Sequence, residues 1–263
     1  MPILDHSSLI DKVEELGHRK ITTPFMRQAT LSVLAGAFIA LGGILSVVGG
    51  YGFPEFSSNP AIQKLVSGML FPVGLFLIVM FGGELFTGNN AVLMPGCCRK
   101  RYGFIPVLYH WLVVWCFNFI GALAFTYLFV YMSGLTAKSP YHEAVTGIAE
   151  AKCHLSPLTA FLKGIAANWC VCLAVWIGLM VKTLPAIMIA CWIPVGTFVV
   201  LGYEHSIANM FFIPAGIFEG ADVSVGQMFG NLLPVTLGNI AGGALLVGTL
   251  FFGLHGRNEA TQR

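Results

Sequence analysis

Charge is what this sequence has least of. Asp, Glu, Lys and Arg make up 10% of its 263 residues, against about a quarter in a soluble domain. A net charge of +2 is too small to hold nucleic acid. The seven cysteines lie mostly inside apolar runs, without a CxxC pair or a histidine at zinc spacing. They read as small apolar fillers, not as a disulfide framework or a metal site. The first 25 residues are polar and mixed in charge, without the early apolar core of a cleavable signal peptide. No sequence pattern asks for a cofactor.

Long hydrophobic runs are what the chain does have. Apolar residues make up 56% of it, and its mean hydropathy is +0.79. Six apolar segments can be marked, at 29–50, 64–97, 104–133, 157–181, 183–217 and 228–254. The class is therefore an all-α membrane protein, since a span needs about 20 residues. The second and fifth segments are too long for one span, and each carries a polar patch: GGELFTGNN at 82–90 and GYEHSIANM at 202–210. Each is expected to be two half-helices joined by a break at the midplane. The expected organisation is an N-terminal segment at 1–28, a six-span domain at 29–254 and a tail at 255–263. Lys12, Arg19, Lys20, Arg27, Arg99, Lys100, Arg101, Lys182, Arg257 and Arg263 all fall on one side of such a plan. Positive charge marks the cytoplasmic face, so both termini are expected there, in a plasma (inner) membrane.

The halves at 29–133 and 157–254 look alike. GGELFTGN and GYEHSIAN share Gly, Glu and Asn in register. Downstream, Asn118 and Gly121 answer Asn239 and Gly242; upstream, Gly36 is matched with Gly164. Three spans per half make the repeat inverted, which places a site between the halves. Irregular backbone is tolerated at membrane depth only where protein buries it or water reaches it. Glu84 and Glu204 each flank a break. Being repeat-related, they read as scaffold that satisfies the free N–H groups of their own loops, together with Asn89 and Asn209. His205 faces Leu85 in the repeat, so loop architecture does not require it. It is the ionisable group most easily moved across physiological pH, and it reads as the chemical site. With no second histidine at i+4 spacing and no cysteine beside it, a membrane enzyme or redox subunit is disfavoured. An ammonia-type channel, with paired pore histidines, is disfavoured too.

GGELFTGN, NWCVCLAVW (168–176), GYEHSIANMFFIPAG (202–216) and NLLPVTLGNIAGG (231–243) resemble the signatures of the formate/nitrite transporter family. The likeness covers nearly the whole chain. It implies an aquaporin-like fold, reached without the NPA motifs of true aquaporins, and a homopentamer with one pore per protomer. It also implies traffic in small monovalent anions or their acids, with formate first, then nitrite, hydrosulfide, acetate or lactate. Residue by residue, it assigns the substrate pathway to His205, Thr87, Glu204 and Asn168. It assigns two apolar slits to Phe71, Leu75, Leu85, Phe86 and Phe198. Vestibule lysines fall on Lys20, inside, and Lys152, outside. Lys163 is left without a role, and His6 and His18 read as solvated surface histidines.

A bare anion is too costly to desolvate in a Phe/Leu slit, whereas a neutral acid is not. The expected partners are therefore a small anion, protons and the lipid bilayer. His205 is expected to donate a proton or to hydrogen-bond the substrate with Thr87. The alternative keeps the anion charged, with His205 protonated as its counter-ion.

Overall fold

The computed structural model describes residues 4–53, 55 and 59–256, and it is helical throughout, with no strand among them. An amphipathic helix, α1 (His6–Ile21), leads into the first span, α2 (Phe25–Tyr51). The second segment divides into α3 (Pro60–Phe81), α4 (Phe86–Val92) and a short turn of helix, α5 (Met94–Cys98). The third span is α6 (Phe104–Tyr131). A second amphipathic helix, α7 (Tyr141–Cys153), precedes the fourth span, α8 (Pro157–Met180). The fifth segment divides into α9 (Leu184–Val200) and α10 (Ser206–Phe218), and the sixth span is α11 (Val225–His255).

Both expected breaks are present, but the first is lopsided. Helix α9 has 17 residues and α10 has 13, as two half-helices should. Helix α3 has 22 residues, while α4 has only 7. The reason is local: Leu93 and Pro95 end α4 early, and α5 turns off behind it. Among the described residues, five helices are long and apolar enough to cross a membrane, and α9 and α10 are two shorter apolar helices.

Helix α1 ties one end of the bundle together. Arg99, after α5, pairs with Asp11 at 2.7 Å and with Glu14. Lys12 donates to Leu179 O near the end of α8 at 2.6 Å. His6 stacks on His255 at the end of α11. The ends of the second, fourth and sixth spans are therefore on the side of α1, as an even number of crossings demands. Residues 257–263 of the tail, with Arg257 and Arg263, lie outside the described residues.

The repeat extends further than the sequence pattern indicates. Helices α1 and α7 are counterparts, and both third spans contain a wider π-helical stretch, at Thr126–Tyr131 and Ala241–Thr249. The first and third spans of each half touch backbone to backbone. A Cβ on Gly121 would lie 1.9 Å from Val33 O, and one on Gly242 would lie 2.2 Å from Ile165 O. These equivalent contacts correct the pairing of Gly36 with Gly164. Asn118 donates to Ser32 O where Asn239 donates to Gly164 O. Gly164 therefore answers Ser32, and Gly36 answers Asn168.

Gly121→Ala and Gly242→Ala should each force these spans apart, at an overpacking cost of about 1–3 kcal/mol. Thermal unfolding of the detergent-solubilised protein measures this, and an unchanged midpoint in either variant would contradict the close approach.

Candidate functional site

The site is built on the two breaks. Gly82 ends α3 with φ 69°, and Gly202 follows α9 with φ 67°. Glycine adopts this left-handed conformation without strain. Each break leaves amide and carbonyl groups without helical partners, and a single asparagine from the third span of each half takes them up. Asn118 accepts from Phe86 N at 2.9 Å and donates to Glu84 O at 2.8 Å. Asn239 accepts from Ser206 N at 2.8 Å and donates to Glu204 O at 3.0 Å.

The glutamates do something else. The repeat predicts that they satisfy the N–H groups of their own loops, but their carboxylates point away from those groups. Glu84 takes Lys20 Nζ at 2.7 Å and Asn89 Nδ2 at 2.6 Å. Glu204 takes Lys152 Nζ at 3.0 and 3.1 Å and Asn209 Nδ2 at 2.6 Å. The reason is reach: the asparagines already occupy the loops, and each carboxylate is left to bind the lysine of the amphipathic helix beside it.

At the centre the halves meet asymmetrically. Thr87 Oγ1 and His205 Nε2 are 2.9 Å apart, although Leu85 and Ile207 occupy the equivalent repeat positions. The Ala208 N–H donates to His205 Nδ1 at 3.0 Å, so the histidine also caps α10. Its imidazole thus has a structural task in the loop, which the repeat alone does not indicate. Asn168 does not reach the histidine. It donates to Thr87 O, Asn90 Oδ1 and Asn239 O, at 3.2, 3.1 and 2.6 Å, and so bolts α4 to α11.

Two cavities approach this centre. One of about 680 Å³ is lined by Arg19, Lys20, Arg27, Leu75, Glu84 and Leu85, among others. The other, of about 220 Å³, is lined by Lys64, Phe71, Lys152, Phe198, Glu204 and His205, among others. Leu75 and Leu85 thus belong to one approach, and Phe71 and Phe198 to the other. Phe71 and Phe198 meet edge to face at 5.8 Å, and Phe198 stacks on His205 at 5.7 Å. Phe86 is buried and lines neither cavity. Lys163 lines neither and contributes its backbone carbonyl, which accepts from Glu204 N.

Residues 7–253 match the family described as formate/nitrite transporter. The chain belongs to the formate/nitrite transporter family. It is 38% identical over 248 residues to "Probable formate transporter" of Methanothermobacter thermautotrophicus, covering 89% of this chain and 90% of that one. It is 34% identical to "Formate channel BtFdhC" of Bacillus thuringiensis, covering 97% of each. It is also 34% identical to "Formate channel FocA" of Escherichia coli, covering 94% of this chain and 92% of that one. A solved "FNT family ion channel" superposes with a TM-score of 0.87 at 27% identity, over 94% of this chain and 98% of that one. A solved "Pentameric formate channel with formate bound" superposes with a TM-score of 0.77 at 28% identity, over 89% and 98%. The aquaporin-like fold of this family's channels is thus the fold of this chain, a multi-pass protein of a family of transporters and channels.

One ionisable residue of this family member goes unmarked by motif and repeat. His110, in α6, is 2% exposed. It lies 3.0 Å from Asn89 and 3.6 Å from Glu84. A signal for it is present in the sequence: a histidine inside an apolar span invites the same question as His205. The asparagines that hold the breaks stand out in the sequence only as repeat markers.

Asn118→Leu and Asn239→Leu should be among the most damaging single changes. Each strands buried backbone groups at about 1–3 kcal/mol apiece. Thermal midpoint and gel-filtration profile in detergent measure the loss. By the repeat the two losses should be alike, and a tolerated leucine at either position would contradict the bracing role of that asparagine.

Proposed function

We propose that this protein is a pH-dependent channel for a small monovalent anion and its conjugate acid, formate first and nitrite as the alternative. The observation that carries this reading is the Thr87–His205 pair. It supplies one side chain from each break, between two cavities walled by Leu and Phe. Arg19 and Arg27 at the larger cavity and Lys64 at the smaller raise the local concentration of anions. An anion that takes a proton at the slit crosses as a neutral acid and avoids the desolvation cost of a bare charge.

The hydrogen bonds favour particular roles for the central residues. Because Ala208 N–H donates to Nδ1, a neutral His205 ring carries its proton on Nε2 and gives it to Thr87 Oγ1. The threonine hydroxyl hydrogen is then left for a substrate oxygen. Proton donation by the imidazole itself passes through a doubly protonated ring, which displaces the Ala208 cap. We therefore give the pair the task of hydrogen-bonding the acid between the slits. Asn168 fixes Thr87 from behind, and Glu204 acts through Lys152. The named relatives and the formate-bound neighbour favour formate. The pentameric neighbour and the apolar outer faces favour a homopentamer with one path per protomer. The basic residues favour the cytoplasmic membrane, with both termini and the Lys20 cavity inside.

Formate flux into proteoliposomes across a pH series tests this. Thr87→Val should lower flux about tenfold, the worth of one hydrogen bond of about 1–1.5 kcal/mol. His205→Phe should lower flux in the same way and leave the pH dependence, which the substrate's own protonation sets, in place. Transport of the acid should carry no current. Unchanged flux and pH dependence in both variants would refute the role of the pair. A pH dependence lost only in His205→Phe, with Thr87→Val at full flux, would instead favour proton donation by the ring.

A further inference from the structure

The two vestibule lysines are held by equivalent glutamates, but what stands behind those glutamates differs. Behind Glu204, Asn209 Nδ2 donates to Asn231 Oδ1 at 2.8 Å, and Asn231 Nδ2 donates to Lys152 O at 2.8 Å. That arrangement contains no imidazole. Behind Glu84, the position of Asn231 is filled by His110. Its Nε2 lies 3.0 Å from Asn89 Nδ2 and 3.6 Å from Glu84 Oε2, and its Nδ1 lies 3.0 Å from the side-chain amide of Gln28. Two amides thus face the two ring nitrogens. A neutral imidazole has one accepting nitrogen, so one of the amides must present its oxygen to the ring N–H. Asn89 is fixed by its donation to Glu84 at 2.6 Å. Gln28 is the one free to turn.

We propose that His110 is a second proton-binding side chain, a positioning residue that sets the partner of Lys20. The proposal rests on the anion-channel reading above. An imidazolium at this position finds two acceptors: the Gln28 oxygen for Nδ1–H and the Glu84 carboxylate for Nε2–H. The second becomes a charge-assisted hydrogen bond once Asn89 Nδ2 gives up its contact with Nε2 and keeps its donation to Glu84. His205 differs: among the described residues no carboxylate pairs with it, and the N–H that occupies its Nδ1 belongs to the backbone of Ala208 and cannot turn away. In the present arrangement one oxygen, Glu84 Oε2, serves both Lys20 and Asn89 and faces His110. Once the imidazolium balances that carboxylate, Lys20 loses its counter-charge. Its ammonium, on a flexible stem, turns into the larger cavity to meet an incoming anion. The charged and titratable groups facing this cluster are few. Helix α1 brings Lys20, and Arg19 beside it on the cavity wall; the first break brings Glu84; α2 brings Arg27 to the cavity. Helices α4 and α10, also packed on α6, carry no titratable side chain. The proton reaches His110 from cavity water, since Glu84 and Asn89 line the cavity in front of it. The channel is thereby made unequal: the lysine on the α1 side answers to pH through His110, and the lysine on the α7 side lacks that control.

The experiment compares wild type, His110→Asn, Lys20→Gln and the double variant in proteoliposomes, reading half-saturating formate concentration and maximal flux across one pH series. Using a single series cancels the substrate's own protonation. His110→Asn, which copies the Asn231 arrangement, should reduce the change of half-saturation with pH to under about twofold across the series. In the Lys20→Gln background the same change should add nothing, as expected for residues acting through one partner. Nitrogen-15 NMR of labelled histidine gives an independent readout. The signal absent from His110→Asn should show a ring gaining its second proton over the pH interval in which half-saturation moves. A wild-type pH profile in His110→Asn, an equal effect of His110→Asn with and without Lys20, or a His110 ring that keeps one proton throughout would each overturn the proposal. In all three cases formate flux in wild type would leave the channel reading standing; its absence in wild type would defeat that reading and the inference resting on it.

Discussion

The capture of two broken backbones by Asn118 and Asn239 is the constraint on which the rest of this molecule depends. A peptide group without a partner in an apolar surrounding costs several kcal/mol. A chain that interrupts two spans must therefore supply replacements before it gains anything from the interruption. A carboxylate could accept from the free N–H groups but could not donate to the free carbonyls. An asparagine does both from one side chain, reaching the N–H of one residue and the C=O of another across the same gap. That choice frees the two glutamates, and each is then available to bind a lysine. The loops carry the site because they do not need their own acidic side chains to stay folded.

The inverted repeat explains why these features come in pairs, and its exceptions mark where chemistry enters. Gly82 and Gly202, Glu84 and Glu204, Asn89 and Asn209, and Lys20 and Lys152 correspond and do equivalent work. Three residues at the central contact stand opposite residues of another kind. His205 stands opposite Leu85, Thr87 opposite Ile207, and Asn168 opposite Gly36. All three converge on one point: His205 bonds Thr87, and Asn168 holds the Thr87 carbonyl. Gly243 leaves the room Asn168 needs, since a Cβ there would lie 2.5 Å from its Nδ2. Two copies of one fold enclose a pathway by symmetry, but a hydrogen-bonding pair on the axis must break that symmetry, because one side chain has to approach from each half. His110, opposite Asn231, is a fourth exception, away from the axis and behind Glu84.

The six crossings, the two breaks and the repeat are legible in the sequence because hydropathy and spacing are written along the chain. So is the anomaly of His205, an ionisable residue in an apolar run. What cannot be read there is direction. Nothing in GGELFTGN says that the Glu84 carboxylate turns toward Lys20 on a different helix while Asn118, far along the chain, enters the loop. The pairing of Gly36 with Gly164 fails for a related reason. In glycine-rich spans many glycines can be aligned, and only the backbone contact at Val33 and Ile165 decides which are equivalent. Helix α7 is hidden because YHEAVTGIAEAKC is too polar for a span and looks like a connection, although it carries Lys152 as α1 carries Lys20. Phe86, beside Thr87, is buried in the same apolar cluster as Phe71, Leu75, Leu85 and Phe198.

The arrangement of charge along the pathway follows from what has to cross it. Arg19, Arg27 and Lys64 stand at the mouths, without an ion pair among the described residues. Deeper in, Lys20 and Lys152 are each balanced by a glutamate. At the centre the contacts are a hydroxyl and an imidazole. Fixed cationic charge therefore declines inward from both sides. A permanent cation at the centre would bind a small anion where there is least water to compete for it, and passage requires binding weak enough to release. A neutral hydrogen-bonding pair avoids that trap, but it serves only a substrate that has shed its own charge. On the proposed reading, attraction at the rim and neutrality at the centre leave the protonation of the substrate, not its capture, as the step that the walls select.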